Sequence, residues 1–115
     1  MSIPVPGQPV RGSKSGAPVM ALLDLLGRRW AMGVLWILAE NGPCGFAELQ
    51  VRCESISPGI LSARLKDLRA ALLVERSEAG YCVSELGREL HEQLRPLGLW
   101  ARQKWARALL VELRN

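Results

Sequence analysis

SISPGILSARLKDLRAALLVER, residues Ser55–Arg76, holds a helix start, an apolar stripe and the beginning of a strand in one short run. Ser57 is placed to cap a helix by accepting a hydrogen bond from a free backbone N–H. Pro58 falls at the first helical position, where its missing N–H costs nothing. Leu61, Leu65, Leu68 and Leu72 recur at i, i+4, i+7 and i+11, which puts them on one face. The opposite side carries Gly59, Ser62, Ala63 and Lys66, with Arg69 at its edge and Arg64 on the other flank. Those basic residues either meet a polyanion or form the solvated side of a small helical core.

Upstream, Phe46–Arg52 reads as a two-turn helix with Phe46 and Leu49 inward. Only Cys53–Ser57 separates it from the leucine-striped helix, which is helix-turn-helix spacing. Downstream, Leu73–Arg76 and Tyr81–Ser84 are short and partly alternating, and SEAG lies between them. They predict a hairpin in which Gly80 supplies the turn. A hairpin directly after the second helix is the wing of a winged-helix domain, whose second helix enters the major groove by its N-terminal half. Ser57, Gly59, Ser62, Ala63 and Lys66 would then approach base edges and phosphates, flanked by Arg64 and Arg69, with Arg76 on the hairpin.

Charge is distributed in the same sense. Residues 57–76 hold four basic and two acidic side chains, whereas 77–95 hold two basic and four acidic. The positive field is local to the proposed reading element. A net charge of +4 and a pI near 9.4 allow a polyanionic partner without requiring one.

The remaining segments frame this unit. Residues 1–16 hold three prolines, three glycines and three serines with Arg11 and Lys14, and bury so little that a flexible basic arm is expected. Ala17–Gly27 predicts a helix with Val19, Leu22, Leu23 and Leu26 toward the core. Trp30–Glu40 is apolar nearly all round and is expected to be the central, most buried helix. NGPCG, Asn41–Gly45, breaks it. Ser84 caps the last helix, whose first stripe is Leu86, Leu90, Leu94 and Leu97. Pro96 and Gly98 are expected to kink or break that helix, with a second stripe of Ala101, Trp105, Ala108, Leu109 and Leu113 beyond. The chain thus divides into an arm (1–16), a winged helix-turn-helix domain (17–84) and a C-terminal helical segment (85–115).

Other chemistries lack a signature. Three cysteines (Cys44, Cys53, Cys82) show no CxxC pair, and the single histidine, His91, has no metal-ligand spacing to them. Structural thiols in a reducing compartment are expected. No nucleophile–base order, paired-carboxylate pocket or phosphate-cradling glycine loop is legible, so no catalytic residue, metal or cofactor is assigned. The apolar run Ala31–Ala39 is too short to cross a bilayer, and the N-terminus lacks a signal-peptide apolar region, so a cytoplasmic protein without a membrane partner is expected.

The stretches APVMALLDLLGRRWAMGVLWIL, FAELQ, ISPGILSARLKDL, LVER and SELGREL together resemble the HxlR-type winged-helix transcriptional regulators of bacteria, a branch near the MarR regulators. In that family the second helix follows a Gly-basic-Trp signature, matched by Gly27 to Trp30. The recognition helix opens with Ile-Ser-Pro, matched by Ile56, Ser57 and Pro58, and continues through Leu61, Arg64, Leu65 and Lys66. The resemblance covers roughly Ala17 to Trp105. It implies a mainly α fold with a small β-hairpin wing, a three-helix core and C-terminal dimerisation helices. It also implies a homodimeric regulator that reads double-stranded DNA at half-sites about one turn apart, with Leu97, Trp100, Ala101, Trp105 and Leu109 at the dimer interface.

Several positions depart from the family pattern. Ala17 stands where relatives often carry a cysteine that some members use as a redox sensor, which excludes sensing at that site. Cys53 replaces a core leucine and reads as packing. Cys44 and Gly45 replace residues often basic, and Gly59 replaces a common Lys or Arg. The hairpin is shorter than the usual wing. Leu72 stands where relatives place the helix-ending glycine; a left-handed backbone there would cost roughly 1 kcal/mol, so the helix is expected to run on or end differently. Arg11 and Lys14 are the available compensating cations for a groove. The competing reading is a winged-helix protein-interaction module that has lost DNA binding. Of the tryptophans, Trp30 is expected in the core and Trp100 and Trp105 at the dimer face, while Trp36 either enlarges that interface or lines a cavity. A small-molecule effector has room but no motif behind it.

Overall fold

Helix α2 (Ala31–Asn41) is the hub: Ala31, Val34, Leu35 and Leu38 are fully buried, and every other helix of the core touches it. The computed structural model describes residues 2–54 and 56–115; Met1 of the arm and Ser55 lie outside the described residues. Helix α1 is Pro18–Leu26, α3 Phe46–Arg52 and α4 Pro58–Ala70. Strands β1 (Val74–Ser77) and β2 (Gly80–Val83) form an antiparallel hairpin, followed by α5 (Glu85–Trp100), one π-helical turn (Ala101–Trp105) and α6 (Ala106–Arg114). The core is aliphatic, with Leu25, Leu35, Leu49, Leu61, Leu65 and Leu68 at its centre, and includes the free thiols Cys44 and Cys53. Burial pushes both thiols above their ordinary pKa.

The hairpin pairs Val74 with Val83 and Arg76 with Tyr81. Its burial pattern follows from that register: Val74 and Val83 face the core, while Glu75, Arg76 and Ser77 are exposed. The α2–α3 connection adds one more rung. Cys44 and Tyr81 exchange backbone hydrogen bonds of 2.9 and 2.8 Å. Gly80 is required there, because its φ is +113° and a Cβ would lie 2.6 Å from the Cys44 carbonyl oxygen. Gly87 serves the other end of the hairpin: a Cβ would lie 2.1 Å from the Leu73 carbonyl oxygen, so α5 starts directly against β1.

Four expectations are corrected. Helix α1 is rotated from its anticipated face: Ala21, Leu25 and Leu26 are buried, and Val19 and Leu23 are exposed. The leucine stripe of α4 stops at Leu68, because Leu72 lies beyond the helix in the left-handed region (φ +66°) and is 69% exposed. The backbone there closes a Schellman motif, in which Leu73 N–H donates to the Leu68 carbonyl at 2.9 Å and Leu72 N–H to that of Arg69 at 3.0 Å. The helix therefore ends at Ala70 with a leucine, not a glycine, in the left-handed position.

Pro96 and Gly98 do not break the C-terminal helix. It runs through Pro96, and the irregularity falls one turn later as the π-helical turn, with αR backbone at Trp100, Ala101, Trp105 and Ala106. Finally, the N-terminal stretch is folded back rather than free. Arg28 donates to the Ser2 carbonyl at 2.9 Å, Gly7 N–H to that of Gly16 at 2.9 Å, and Ala17 N–H to Ser13 Oγ at 3.0 Å. Ile3 packs on the core, which the Pro/Gly/Ser composition conceals.

Candidate nucleic-acid interface

The turn between α3 and α4 is pinned from below by two buried side chains, Cys53 and Ile56. Helix α3 ends at Arg52, and two residues later Glu54, at φ +46°, turns the chain toward α4. Ser57 then accepts from Ile60 N–H at 3.2 Å and Pro58 occupies the first turn, as the residue types require. With Leu61, Leu65 and Leu68 buried, the helical period turns Ser57, Gly59, Ser62, Ala63, Lys66 and Arg69 outward, and all six are exposed. A Cβ at Gly59 would meet nothing within 4 Å, so that position is open to a larger side chain.

A groove of about 650 Å³ runs between the C-terminal half of α4 and β1. Lys66, Arg69 and Arg76 line it together with Glu75. The Arg76 guanidinium lies 5.4 Å from the centre of the Tyr81 ring, its cross-strand partner, which holds it on the hairpin surface. Three cations from two elements thus meet on the side of the molecule that α4 presents outward. This is a small, mixed-chemistry surface of the kind that grips phosphates and leaves uncharged side chains for base edges.

Arg64 is placed differently from its neighbours. Its side chain is 17% exposed, its Nε donates to the Arg29 carbonyl at 2.8 Å, and its Nη1 contacts the Asp67 carboxylate. Asp67, only 6% exposed, is also ion-paired with Arg28, whose Nη1 lies 3.1 Å from Oδ2 but makes no hydrogen bond. Sequence reading missed Asp67 and Arg28. The i,i+3 spacing of Arg64 and Asp67 signals a helical pair, but the approach of Arg28 depends on how the α1–α2 corner, with Trp30 at φ +72°, folds over α4.

Arg11 and Lys14 are exposed, but their segment is bound to α1, where Arg11 N–H donates to Asp24 at 3.2 Å. Cys44 and Gly45 immediately precede α3, and the cation nearby on that helix, Arg52, is paired with Glu48 at 2.7 Å. On the C-terminal helices, Leu97, Trp100, Trp105 and Leu109 are exposed and Ala101 is half-buried. Leu99, Leu110, Val111 and Leu113 are exposed as well, a larger apolar surface than a lone chain of this size ordinarily shows to water. Trp36 lines a cavity of about 600 Å³ with Glu40, Arg95 and Arg102. Its ring meets His91 edge-on at 4.7 Å and would touch a Cβ at Gly98 at 3.3 Å. Among the described residues no helix is long and apolar enough to cross a membrane.

Comparison with known proteins converges on one group. The HxlR-like helix-turn-helix family matches residues 25–110. The uncharacterised HTH-type transcriptional regulator YdzF of Bacillus subtilis is 31% identical over 91 residues, covering 73% of this chain and 84% of that protein. The uncharacterised HTH-type regulator BH0655 of Halalkalibacterium halodurans is 41% identical over 56 residues, about half of each chain (49% and 50%). Among solved structures, quinone-bound YodB from Bacillus subtilis superposes with a TM-score of 0.70 at 31% identity, covering 75% of this chain and 97% of that one. A possible HxlR family transcriptional factor from Thermoplasma volcanium superposes at 0.61 with 30% identity, covering 85% and 86%. The helix-turn-helix, the hairpin wing and these likenesses agree, and the chain belongs to the HxlR-like helix-turn-helix family of transcriptional regulators.

Proposed function

We propose that the chain is a sequence-specific, homodimeric regulator that binds double-stranded DNA through α4 and has no catalytic role. The observation that carries this reading is the outer face of α4: Ser57, Gly59, Ser62, Ala63 and Lys66 stand exposed above a fully apolar inner face. Lys66, Arg69 and Arg76 hold the phosphates on either side of the groove. Ser62 and the small residues Gly59 and Ala63 let the helix backbone approach base edges closely, and Ala63 offers a methyl group to thymine. Arg64 serves the helix from beneath, and Arg11 and Lys14 are accessory cations at the α1 side.

The second half of the proposal is the pairing of two chains through the exposed apolar residues of α5 and α6. Two chains burying Leu97, Trp100, Trp105 and Leu109 against each other cover the largest aromatic surface the monomer leaves in water. A twofold pair then presents two α4 helices to successive turns of one duplex face. The test is selection of genomic fragments with the purified full chain, with its mass in solution measured in parallel. The reading expects enrichment of a few fragments sharing an inverted repeat, bound by a species of twice the chain mass. Uniform recovery of all fragments, or of none, overturns it.

A further inference from the structure

The cluster around Asp67 bears on how selectively α4 reads DNA. Asp67 is the buried charged side chain of the recognition helix, and its Oδ2 is shared by two guanidiniums from different parts of the chain. Arg28 reaches it from the α1–α2 corner at 3.1 Å while its Nη2 holds the Ser2 carbonyl at 2.9 Å. Arg64 reaches it from one turn earlier on α4, and its Nε is held by the Arg29 carbonyl at 2.8 Å. Two of the three guanidinium nitrogens of Arg64 are therefore committed to the protein. An arginine that reads guanine needs two adjacent N–H groups free along one edge. The Nε–H of Arg64 is on a backbone oxygen and its Nη1 is on Asp67, so each donor edge has one nitrogen engaged with the protein, and the end-on edge depends on Asp67.

The same contacts fix the helix. Arg29 and Arg64 join the corner to α4 through one hydrogen bond, and Arg28 and Asp67 join them again through an ion pair, both beneath the surface proposed to meet the duplex. Removing the carboxylate charge would loosen the second link and release a cation three residues from Asp67. A released arginine reaches phosphates of any sequence, and phosphate attraction does not discriminate.

We propose that Asp67 is a specificity-determining residue of the α4 surface: it keeps Arg64 on the protein, withholding one cation from the duplex and fixing how α4 meets the groove. The inference rests on the DNA-binding reading above. It is a positioning role, because Asp67 itself touches no nucleic acid.

The test uses the full chain, a duplex recovered by genomic selection and a random duplex of equal length, with affinities measured across a salt series. Asp67→Asn is expected to steepen the slope of log K against log salt by about 0.9, one added phosphate contact. Its ratio of specific to random affinity is expected to fall on the order of tenfold, one lost base-pair's worth of discrimination. Arg64→Met alone is expected to leave the wild-type salt slope unchanged, and the double variant to return to it. A purely structural role would lower both affinities together without steepening the slope. An Arg64→Met slope shallower by about 0.9, or an Asp67→Asn protein with wild-type slope and ratio, overturns the inference. Should Asp67→Asn fail to fold by circular dichroism, the Arg64→Met slope decides alone. A wild-type chain that binds neither duplex instead overturns the DNA-binding reading itself.

Discussion

The hydroxyl of Ser84 donates to the carbonyl of Leu72 at 2.7 Å and accepts from the backbone N–H of Gly87 at 3.0 Å. One side chain thereby closes the end of the recognition helix and opens the C-terminal one, and Ser84 N–H adds a bond to the Leu73 carbonyl at 3.0 Å. The proposed reading unit and the proposed pairing helices meet at this residue.

Ser84→Ala removes the N-cap of α5 and leaves the Leu72 carbonyl without its donor. The expected loss is about 1–2 kcal/mol. Thermal denaturation followed by far-UV circular dichroism is expected to show a melting point several degrees lower, and an unchanged one contradicts the double role of the hydroxyl.

Leu72 carries a side chain in a backbone region that disfavours one. Leu72→Gly is expected to stabilise the fold by about 1 kcal/mol, because the Cβ–carbonyl conflict disappears and only part of the gain is lost to the freedom of glycine in the unfolded chain. Leu72→Ala keeps the Cβ and its conflict while removing the exposed isopropyl end of the side chain. Urea midpoints separate the causes: a gain for Gly alone supports backbone strain, whereas equal gains for both point to the exposed apolar surface.

The three groove cations are expected to act as phosphate contacts. Lys66→Ala, Arg69→Ala and Arg76→Ala should each reduce the magnitude of the salt slope by about 0.9 while weakening binding to all sequences alike. Gly59→Lys places a cation in open space and is expected to raise affinity and steepen the slope by the same amount. Fluorescence anisotropy across a salt series checks all four, and a discriminating loss at Lys66 would reassign it to base reading.

Pairing is expected to depend on the apolar face of α5 and α6. Trp105→Asp and Leu109→Asp each bury a charge in the proposed interface, and sedimentation velocity is expected to show the chain mass instead of twice that mass, with far-UV spectra unchanged. Both residues are exposed in the single chain, so a loss of helix content on substitution would count against an interface role.

The parts of this fold that local chemistry dictates are legible in the sequence. Ser57 and Pro58 mark the start of α4, Leu61, Leu65 and Leu68 face inward, and Ser84 caps α5, while Gly80 opens β2 just after the Glu78–Ala79 turn. The misread features depend on long-range packing. Leu72 continues the leucine spacing in sequence, and only its bond from Ser84 and the Schellman closure show why the helix stops before it. Residues 2–16 have a disordered composition, yet Arg28 and Ile3 tie them to the body. The candidate surface divides the same way. Exposure of Gly59, Ser62, Ala63 and Lys66 follows from the helical period, but the period cannot tell that Arg64 is claimed by Asp67 and the Arg29 carbonyl.

Hydroxyl-radical footprinting of the full chain on its selected duplex tests the central claim most directly. A twofold pair placing α4 in the major groove predicts two protected patches, symmetric about a centre and about 10 base pairs apart on one face of the helix. A single asymmetric patch, or none at concentrations where the chain is paired, contradicts the account.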